Sequence, residues 1–148
     1  MIKKIFFVLM FAMMFASSAY LYQTGVMRGG EQKDTSKVIV DGHAVVVELA
    51  VTPQELEQGL MHRATLAKDS GMLFLFADSG KKIFWNKNTY IPLDIIWMHD
   101  DIVIGVSHLP AISDGLTKIL SPDNVNRVLE VNHGWANQHS IQIGARVW

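Results

Sequence analysis

The 148-residue chain contains no cysteine, and this absence excludes several kinds of chemistry. Without thiols, the protein forms no disulfide bond, has no cysteine nucleophile and offers no thiolate ligand to a metal ion. An excess of charge of one sign is also absent, because 13 basic side chains stand against 14 acidic ones. Proteins that bind nucleic acid usually carry a basic surface patch or a basic helix, and the sequence shows neither. We therefore expect no nucleic-acid partner.

Common catalytic and cofactor-binding motifs are missing too. The sequence has no GxSxG elbow, no phosphate-binding P-loop and no glycine-rich dinucleotide fingerprint. Its six histidines show no spacing of the HxH or HExxH kind, in which two side chains reach the same metal ion. His99 stands next to Asp100 and Asp101, but adjacent strand residues point to opposite faces and hairpin turns are normally solvated. We expect neither a metal site nor a cofactor.

A long hydrophobic run is present at the N-terminus. Residues 5–16 (IFFVLMFAMMFA) carry no charge, two lysines precede them, and small residues follow at Ser17 and Ala19. This pattern predicts a signal peptide over residues 1–19, cleaved after Ala19. The alternative is an uncleaved membrane anchor, because weakly polar residues extend the run to residues 5–27. Both interpretations place the rest of the protein outside the cytoplasm, periplasmic or secreted, with membrane contact only through this segment.

The rest of the chain divides into a linker and one domain. Residues 20–36 end in a polar, glycine-containing stretch that is typical of a flexible linker, and residues 37–148 suffice for a single domain. Short runs of β-branched and aromatic residues, separated by turn signals such as Asp41-Gly42, predict strands. The strands are expected at residues 37–40, 44–51, 71–76, 82–85, 93–98, 102–107, 128–131 and 141–147, with a turn at 77–80 and a loop at 110–122.

One clear helix interrupts these strands. Thr52 is a suitable N-cap, Pro53 suits the first helical position and Glu55 completes a capping box, so the pattern predicts a helix that ends at Gly59. Since alternating strand–helix–strand units are missing, a doubly wound sheet is not expected. The sequence instead predicts a mainly β protein. It would be a compact β-sandwich or a jelly-roll-like, partly closed barrel, with one short helix.

Five segments, taken together and in order, carry a resemblance to a known family. They are GLMHR (residues 59–63), GMLF (71–74), FWNKNT (84–89), IPLDII (91–96) and VLE (128–130). With these segments, the chain from Val38 to Val147 closely resembles the bacterial and archaeal family named domain of unknown function 192. The resemblance implies a compact, jelly-roll-like β-sandwich, often with an export signal, and it implies no established reaction. The chain departs from the family pattern at Asn86, where the family has methionine, and at Gly144-Ala145, where a glycine–aspartate turn is usual.

Asp94 is the most unusual polar residue, because it lies inside the hydrophobic strand LDIIWM. An ionised carboxylate in such a place must be paired or hydrogen-bonded. We expect Lys87 or Arg63 to supply a cation, with hydrogen bonds from Asn88 and Thr89. A polar pocket of this kind suits a ligand-binding acceptor or a general base. Alternatively, the same contacts form a structural network that ties residues 87–89, which we call the KNT loop, to the sheet.

Three more residues extend this candidate site. Glu130 could pair with Arg63, or it could complete a carboxylate pair with Asp94 of the kind that glycosidases use. The alternative for Glu130 is a solvated position on a strand face. Trp85 and Tyr90 fall beside polar residues, where they could line a groove for sugar rings or pack at a sheet edge.

These observations favour a small binding module for a polar ligand, such as a carbohydrate or a cell-envelope component. The candidate ligand-binding residues are Arg63, Trp85, Lys87, Asn88, Thr89, Tyr90, Asp94 and Glu130. Two other functions stay open at this point. One is an acid–base enzyme that uses Asp94 with Glu130, and the other is a structural or accessory envelope protein without a catalytic site.

Overall fold

Residues 35–148, the part of the chain that the computed structural model describes, form eight β-strands and two short α-helices. The elements are β1 (Thr35–Val40), β2 (His43–Ala50), α1 (Pro53–Gln58), β3 (Ser70–Gly80), β4 (Ile83–Trp85), β5 (Leu93–His99), β6 (Ile102–Leu109), β7 (Lys118–Leu120), β8 (Val125–Asn132) and α2 (Trp135–Gln138). A 3-10 turn at Ile112–Asp114 lies between β6 and β7. The expected signal peptide or anchor, and most of the expected linker, lie outside the described residues. Within those residues, no helix has the length and hydrophobicity to cross a membrane.

Six strands form the main sheet, in the order β1-β2-β3-β8-β5-β6, and β4 pairs with β7 in a small second sheet. All neighbouring strands are antiparallel except β2 and β3, which are parallel and joined through α1. A parallel pair needs such a crossover, since a tight turn only reverses the chain. The main sheet does not close by continuous strand pairing. The last residues hydrogen-bond to both of its edge strands instead: Trp148 accepts from Ile39 (2.8 Å) and Ala145 accepts from Val103 (2.9 Å).

Hydrophobic side chains cover both faces of the main sheet. Strand β5 shows the division, because Leu93 and Ile95 pack on one face while Ile96 and Met98 pack on the other. The small sheet covers the first face, which we call the front face. Helix α2 and the C-terminal residues cover the second, which we call the back face. Because β5 is buried on both sides, its sequence is a nearly continuous hydrophobic run.

The prediction of a mainly β, sandwich-like fold with a short helix is confirmed. Helix α1 also starts as predicted. Oγ1 of Thr52 accepts a hydrogen bond from the backbone N–H of Glu55 (3.3 Å), and Oε2 of Glu55 accepts one from the N–H of Thr52 (2.9 Å). Gly59 follows the helix with a φ of 49°. These contacts join residues close in sequence, so local chemistry suffices to position the helix.

Several details of the predicted strands are wrong. Strand β1 begins at Thr35, two residues before the predicted domain boundary. Residues 77–80 continue β3 instead of turning, because Gly80 pairs with β8 after an irregular register. The predicted loop at 110–122 contains the short strand β7. Residues 141–147 form isolated bridges rather than a strand, since they contact β1 and β6 in turn.

Candidate functional site

The structure divides the predicted site residues between separate places. Trp85, Thr89 and Glu130 line a cleft on the front face of the main sheet. Glu130 pairs directly with Ile95 across β8 and β5, so both side chains lie on that face. Asp94 is the neighbour of Ile95 in β5 and therefore points to the back face. The predicted carboxylate pair of Asp94 and Glu130 is thus wrong.

The cleft around Glu130, which we call the Glu130 cleft, has a volume of about 290 Å³. Residues 56–61 of α1 and the following loop form one wall, and residues 81–85 form another. Phe74 and Phe76 of β3 contribute aromatic surface. This volume lies just below the range of about 300–1,000 Å³ that is usual for small-molecule sites. The cleft therefore suits a small ligand rather than a polymer.

Glu130 is the buried acidic group of this cleft, with 5% of its surface exposed. The alternative of a solvated glutamate is therefore wrong. Its Oε2 atom has no hydrogen-bond partner within the described residues. Burial raises the pKa of Glu130 from 4.5 to about 8, because removal from water disfavours the ionised form. At neutral pH the carboxyl group is mostly protonated, so it can donate a hydrogen bond into the cleft.

Gly59 lies beside this carboxyl group. Its φ of 49° with a ψ of −133° is a conformation that residues with a side chain rarely adopt. A Cβ atom at this position would lie 3.2 Å from Cζ of Phe74 and 3.7 Å from Oε2 of Glu130. A side chain here would therefore occupy the space next to the carboxyl oxygen. The glycine ends α1 and lets its last turn pack closely against Phe74 and Glu130.

Positive charge surrounds the aromatic edge of the cleft. The ammonium group of Lys82 lies 4.6 Å from the ring centre of Phe76. Those of Lys87 and Lys118 lie 5.0 and 5.5 Å from the ring centre of Trp85. The Trp85 ring is thus already engaged in cation–π contacts. It is a weaker stacking surface for a sugar than its position in the sequence suggested.

Three other predicted residues have partners outside the cleft. Both terminal nitrogens of Arg63 donate hydrogen bonds of 2.6 Å to the carboxylate of Glu48, and this hydrogen bonding raises the pKa of Arg63. Asn88 has a left-handed φ of 54°, and its carbonyl accepts a hydrogen bond from the N–H of His62 (2.8 Å). The exposed Tyr90 places its hydroxyl 3.4 Å from Nδ1 of His62. These contacts shape the loops and leave Arg63 unavailable to Asp94 or Glu130.

The predicted partners of Asp94 are wrong. Its Oδ2 accepts a hydrogen bond from the backbone N–H of Ala136 (3.0 Å), and its Oδ1 lies 2.9 Å from Nδ1 of His133. Asp94 is 5% exposed, so these contacts explain how a carboxylate is tolerated in a hydrophobic strand. The KNT loop does not fold back on it. The start of α2 and the turn before it supply the donors instead.

Asp94 belongs to a group of side chains that the spacing of residues did not reveal. His108 pairs directly with Asp94 between β6 and β5, and the ring centres of His108 and His133 are 3.9 Å apart. One nitrogen or carboxylate oxygen from each of the three residues lies within 4.8 Å of the others. We call this group the Asp94 cluster. The expectation of no metal site rested on spacing along the chain, whereas the fold joins three distant segments here.

Asn86 is a fully buried residue whose importance the sequence did not show. Its Nδ2 donates hydrogen bonds to the carbonyls of Pro110 (3.0 Å), Ala111 (3.2 Å) and Gly115 (2.8 Å). Its Oδ1 accepts one from the N–H of Thr117 (2.7 Å). Together these bonds hold the loop before β7 against the end of β4, next to the cleft wall. Methionine, which the family pattern has at this position, can form none of them.

The fold and the cleft define a small, sandwich-like β protein with a buried acid in a front-face cleft. The chain belongs to the family of domain of unknown function 192, described as "Uncharacterized ACR", whose model matches residues 36–148. The resemblance drawn from the five sequence segments is thereby confirmed. No curated protein sequence matches the chain.

Two solved structures share most of the domain. A protein from Sinorhizobium meliloti 1021, described as a "putative transcription regulator", is 34% identical with a TM-score of 0.72. The match covers 78% of this chain and 94% of that one. A protein of unknown function from Novosphingobium aromaticivorans DSM 12444 is 32% identical with a TM-score of 0.74, over 82% of this chain and 89% of that one. Both agree with the sandwich-like fold.

Proposed function

We propose that the protein is a small binding module that holds a polar, largely uncharged ligand in the Glu130 cleft. The observation that carries this proposal is the buried Oε2 atom of Glu130, which lacks a hydrogen-bond partner in residues 35–148. A buried polar group without a partner costs about 1–3 kcal/mol. A hydroxyl or carbonyl group of a ligand that reaches Glu130 from the cleft would satisfy the carboxyl group and remove that cost.

The chemistry of the cleft favours a carbohydrate or a related cell-envelope component. The protonated carboxyl of Glu130 can donate a hydrogen bond to a hydroxyl or amide oxygen. Leu56 and the exposed Ile83 line the same space and offer hydrophobic surface to the C–H face of a sugar ring. The volume of about 290 Å³ restricts the ligand to a small molecule or to the end of a larger one.

Nuclear magnetic resonance of the isotope-labelled full chain tests this proposal. Glucose and N-acetylglucosamine, each added to millimolar concentration, serve as probes of a neutral sugar without and with an amide oxygen. We expect the backbone amides of residues 56–61 and 81–85 to shift together on titration. Shifts that map elsewhere, or no shift with either probe, would refute a carbohydrate site in this cleft.

A pair of tryptophan variants provides the control. Leu56→Trp fills the cleft from its α1 wall, and Leu120→Trp adds the same side chain to an exposed position of β7 that does not line the cleft. We expect the first variant to lose the probe-induced shifts and the second to keep them. Equal behaviour of the two variants would show that the cleft is not the binding site and would favour a structural or accessory role.

Glu130 also supports a second function, acid–base catalysis by this residue alone. A carboxyl group with a pKa of about 8 can accept and return a proton near neutral pH. Glu130→Gln separates the two functions, because the amide keeps the shape and a hydrogen-bond donor but cannot exchange a proton. Binding without loss in the variant supports a binding module. Conversion of a bound probe by the wild type, and not by the variant, supports an enzyme.

We further propose that the domain works outside the cytoplasm, as its N-terminal signal pattern predicts. Mass spectrometry of the extracytoplasmic fraction checks this, and the expected mature protein starts at Tyr20. Recovery of chains that still begin at Met1 from the membrane fraction would support the anchor. Recovery of the intact chain from the cytoplasm would contradict export altogether.

The description of the Sinorhizobium protein as a regulator does not change this proposal. In residues 35–148 the longer of the two α-helices has six residues. A recognition helix that enters the major groove usually needs more than that, together with a basic surface. The absence of a nucleic-acid partner stays a prediction, and a gel-shift assay with mixed-sequence DNA at low salt tests it.

A further inference from the structure

The Asp94 cluster combines three side chains of types that coordinate metal ions. Asp94 comes from β5, His108 from β6 and His133 from the turn after β8. The carboxylate is buried, whereas both imidazole rings are exposed to solvent. A buried carboxylate with two solvent-facing imidazoles leaves an open side from which an ion can enter.

We propose that Asp94, His108 and His133 form a binding site for a divalent transition-metal ion, with Zn²⁺ as the probe. The donor set of two imidazoles and one carboxylate matches catalytic zinc sites with three protein ligands and an open fourth position. The same set suits other first-row ions, whereas Mg²⁺ and Ca²⁺ prefer oxygen ligands alone. The site is independent of the Glu130 cleft, because it lies on the opposite face of the main sheet.

The distances require only small side-chain movements. Zinc binds nitrogen and oxygen at about 2.0–2.2 Å, so two of its ligand atoms in tetrahedral geometry are about 3.4 Å apart. Asp94 Oδ1 and His133 Nδ1 are already 2.9 Å apart. The ligand atoms of the whole group lie within 4.8 Å of one another, and rotation of the exposed rings can close the remaining gap.

The backbone already orients the carboxylate for this role. The N–H of Ala136 holds Oδ2 of Asp94 at 3.0 Å, which leaves Oδ1 directed toward the histidines. Hydrogen bonds of this kind, made by a ligand to its surroundings, fix the geometry of metal sites. An ion bound here would replace the direct contact between Asp94 and His133, and it would join β5, β6 and the turn after β8.

Isothermal titration calorimetry of the metal-free full chain with Zn²⁺ tests the proposal. We expect one Zn²⁺ per chain, with no competition from millimolar Mg²⁺ or Ca²⁺. Replacement by Co²⁺ should give visible absorption bands of the intensity that four- or five-coordinate nitrogen and oxygen sites produce. Failure of Zn²⁺ to bind at micromolar concentration would overturn the proposal, as would competition by Mg²⁺.

His108→Ala is the decisive variant, because Asp94 keeps its hydrogen bonds to Ala136 and His133 and folding is therefore retained. We expect it to weaken Zn²⁺ binding at least roughly tenfold. His99→Ala is the matched control, since His99 is an exposed histidine beside an aspartate, as His108 is. Unchanged binding in His108→Ala, or an equal loss in His99→Ala, would show that Zn²⁺ binds elsewhere.

Discussion

Replacing Glu130 with glutamine is expected to change how the stability of the protein depends on pH. In the folded protein the pKa of Glu130 is raised from 4.5 to about 8, chiefly by burial. Between pH 4.5 and about pH 8, the carboxyl group is therefore protonated in the folded protein and ionised in the unfolded chain. Stability that depends on this proton is fully present below about pH 4.5 and is lost progressively as the pH rises to about 8.

The size of the effect follows from the same two pKa values. Each tenfold change in proton affinity is worth about 1.36 kcal/mol, so the rise from 4.5 to about 8 corresponds to about 5 kcal/mol at high pH. At pH 7 the loss is about 3 kcal/mol, and near pH 5 it is below about 1 kcal/mol. Glutamine resembles the protonated acid but does not ionise. The variant should therefore escape this loss.

Urea denaturation of wild type and Glu130→Gln at several pH values from about 5 to about 9 measures the difference. A difference in the free energy of unfolding that is the same at every pH reflects the exchange of a hydroxyl for an amide. The informative quantity is how this difference between the two proteins changes with pH. We expect the variant to gain about 3 kcal/mol relative to wild type between pH 5 and pH 8. Glu57→Gln is the control, because Glu57 lines the same cleft in an exposed position. Parallel pH profiles of wild type and Glu130→Gln would refute the buried, protonated state of Glu130.

Substitutions at three further positions test other parts of the structure, each by its denaturation midpoint. Asn86→Asp replaces the donor that faces three carbonyl oxygens with an acceptor, and should cost about 3 kcal/mol or more. A loss below about 1 kcal/mol would contradict a stabilising role of the Asn86 hydrogen bonds. Asp94→Ala leaves the N–H of Ala136 unpaired and should cost about 2 kcal/mol, whereas Asp94→Asn, which keeps an acceptor, should cost less. Equal losses in Asp94→Ala and Asp94→Asn would argue against the hydrogen bond from Ala136. Thr52→Ala removes the N-cap of α1 and should cost about 1 kcal/mol, and an unchanged midpoint would mean that the cap is not stabilising.

Local patterns in the sequence predict α1 and most of the strands. The capping box of α1 joins Thr52 and Glu55, three residues apart, so no distant contact is needed to specify it. The alternation of β5 also follows from the sequence, since side chains of a strand point to opposite faces in turn. The family membership rests on five such segments in order, and the family model confirms it.

The strand predictions failed where the structure depends on pairing between segments that are far apart in the sequence. Turn residues at 77–80 favour a reversal of the chain, yet Gly80 pairs with Val125 and β3 continues. The parallel pairing of β2 with β3 depends on a crossover through α1 that no local pattern specifies. The sequence of residues 141–147 is typical of a strand. In the structure these residues form isolated bridges to two different edge strands, β1 and β6, and no continuous strand.

In both candidate sites, the sequence identifies an acidic residue, whereas contacts between distant segments supply its surroundings. The sequence alone singles out Asp94, because a carboxylate in a hydrophobic strand must have partners. It does not identify them: His133 is 39 residues away. In addition, a one-residue bulge in the hairpin places His108, rather than Ser107, opposite Asp94. The carboxyl group of Glu130 likewise becomes a buried acid only when α1 and β4 close over β8. Desolvation depends on every group that surrounds a side chain in space, and the neighbours of a residue along the chain do not specify that set.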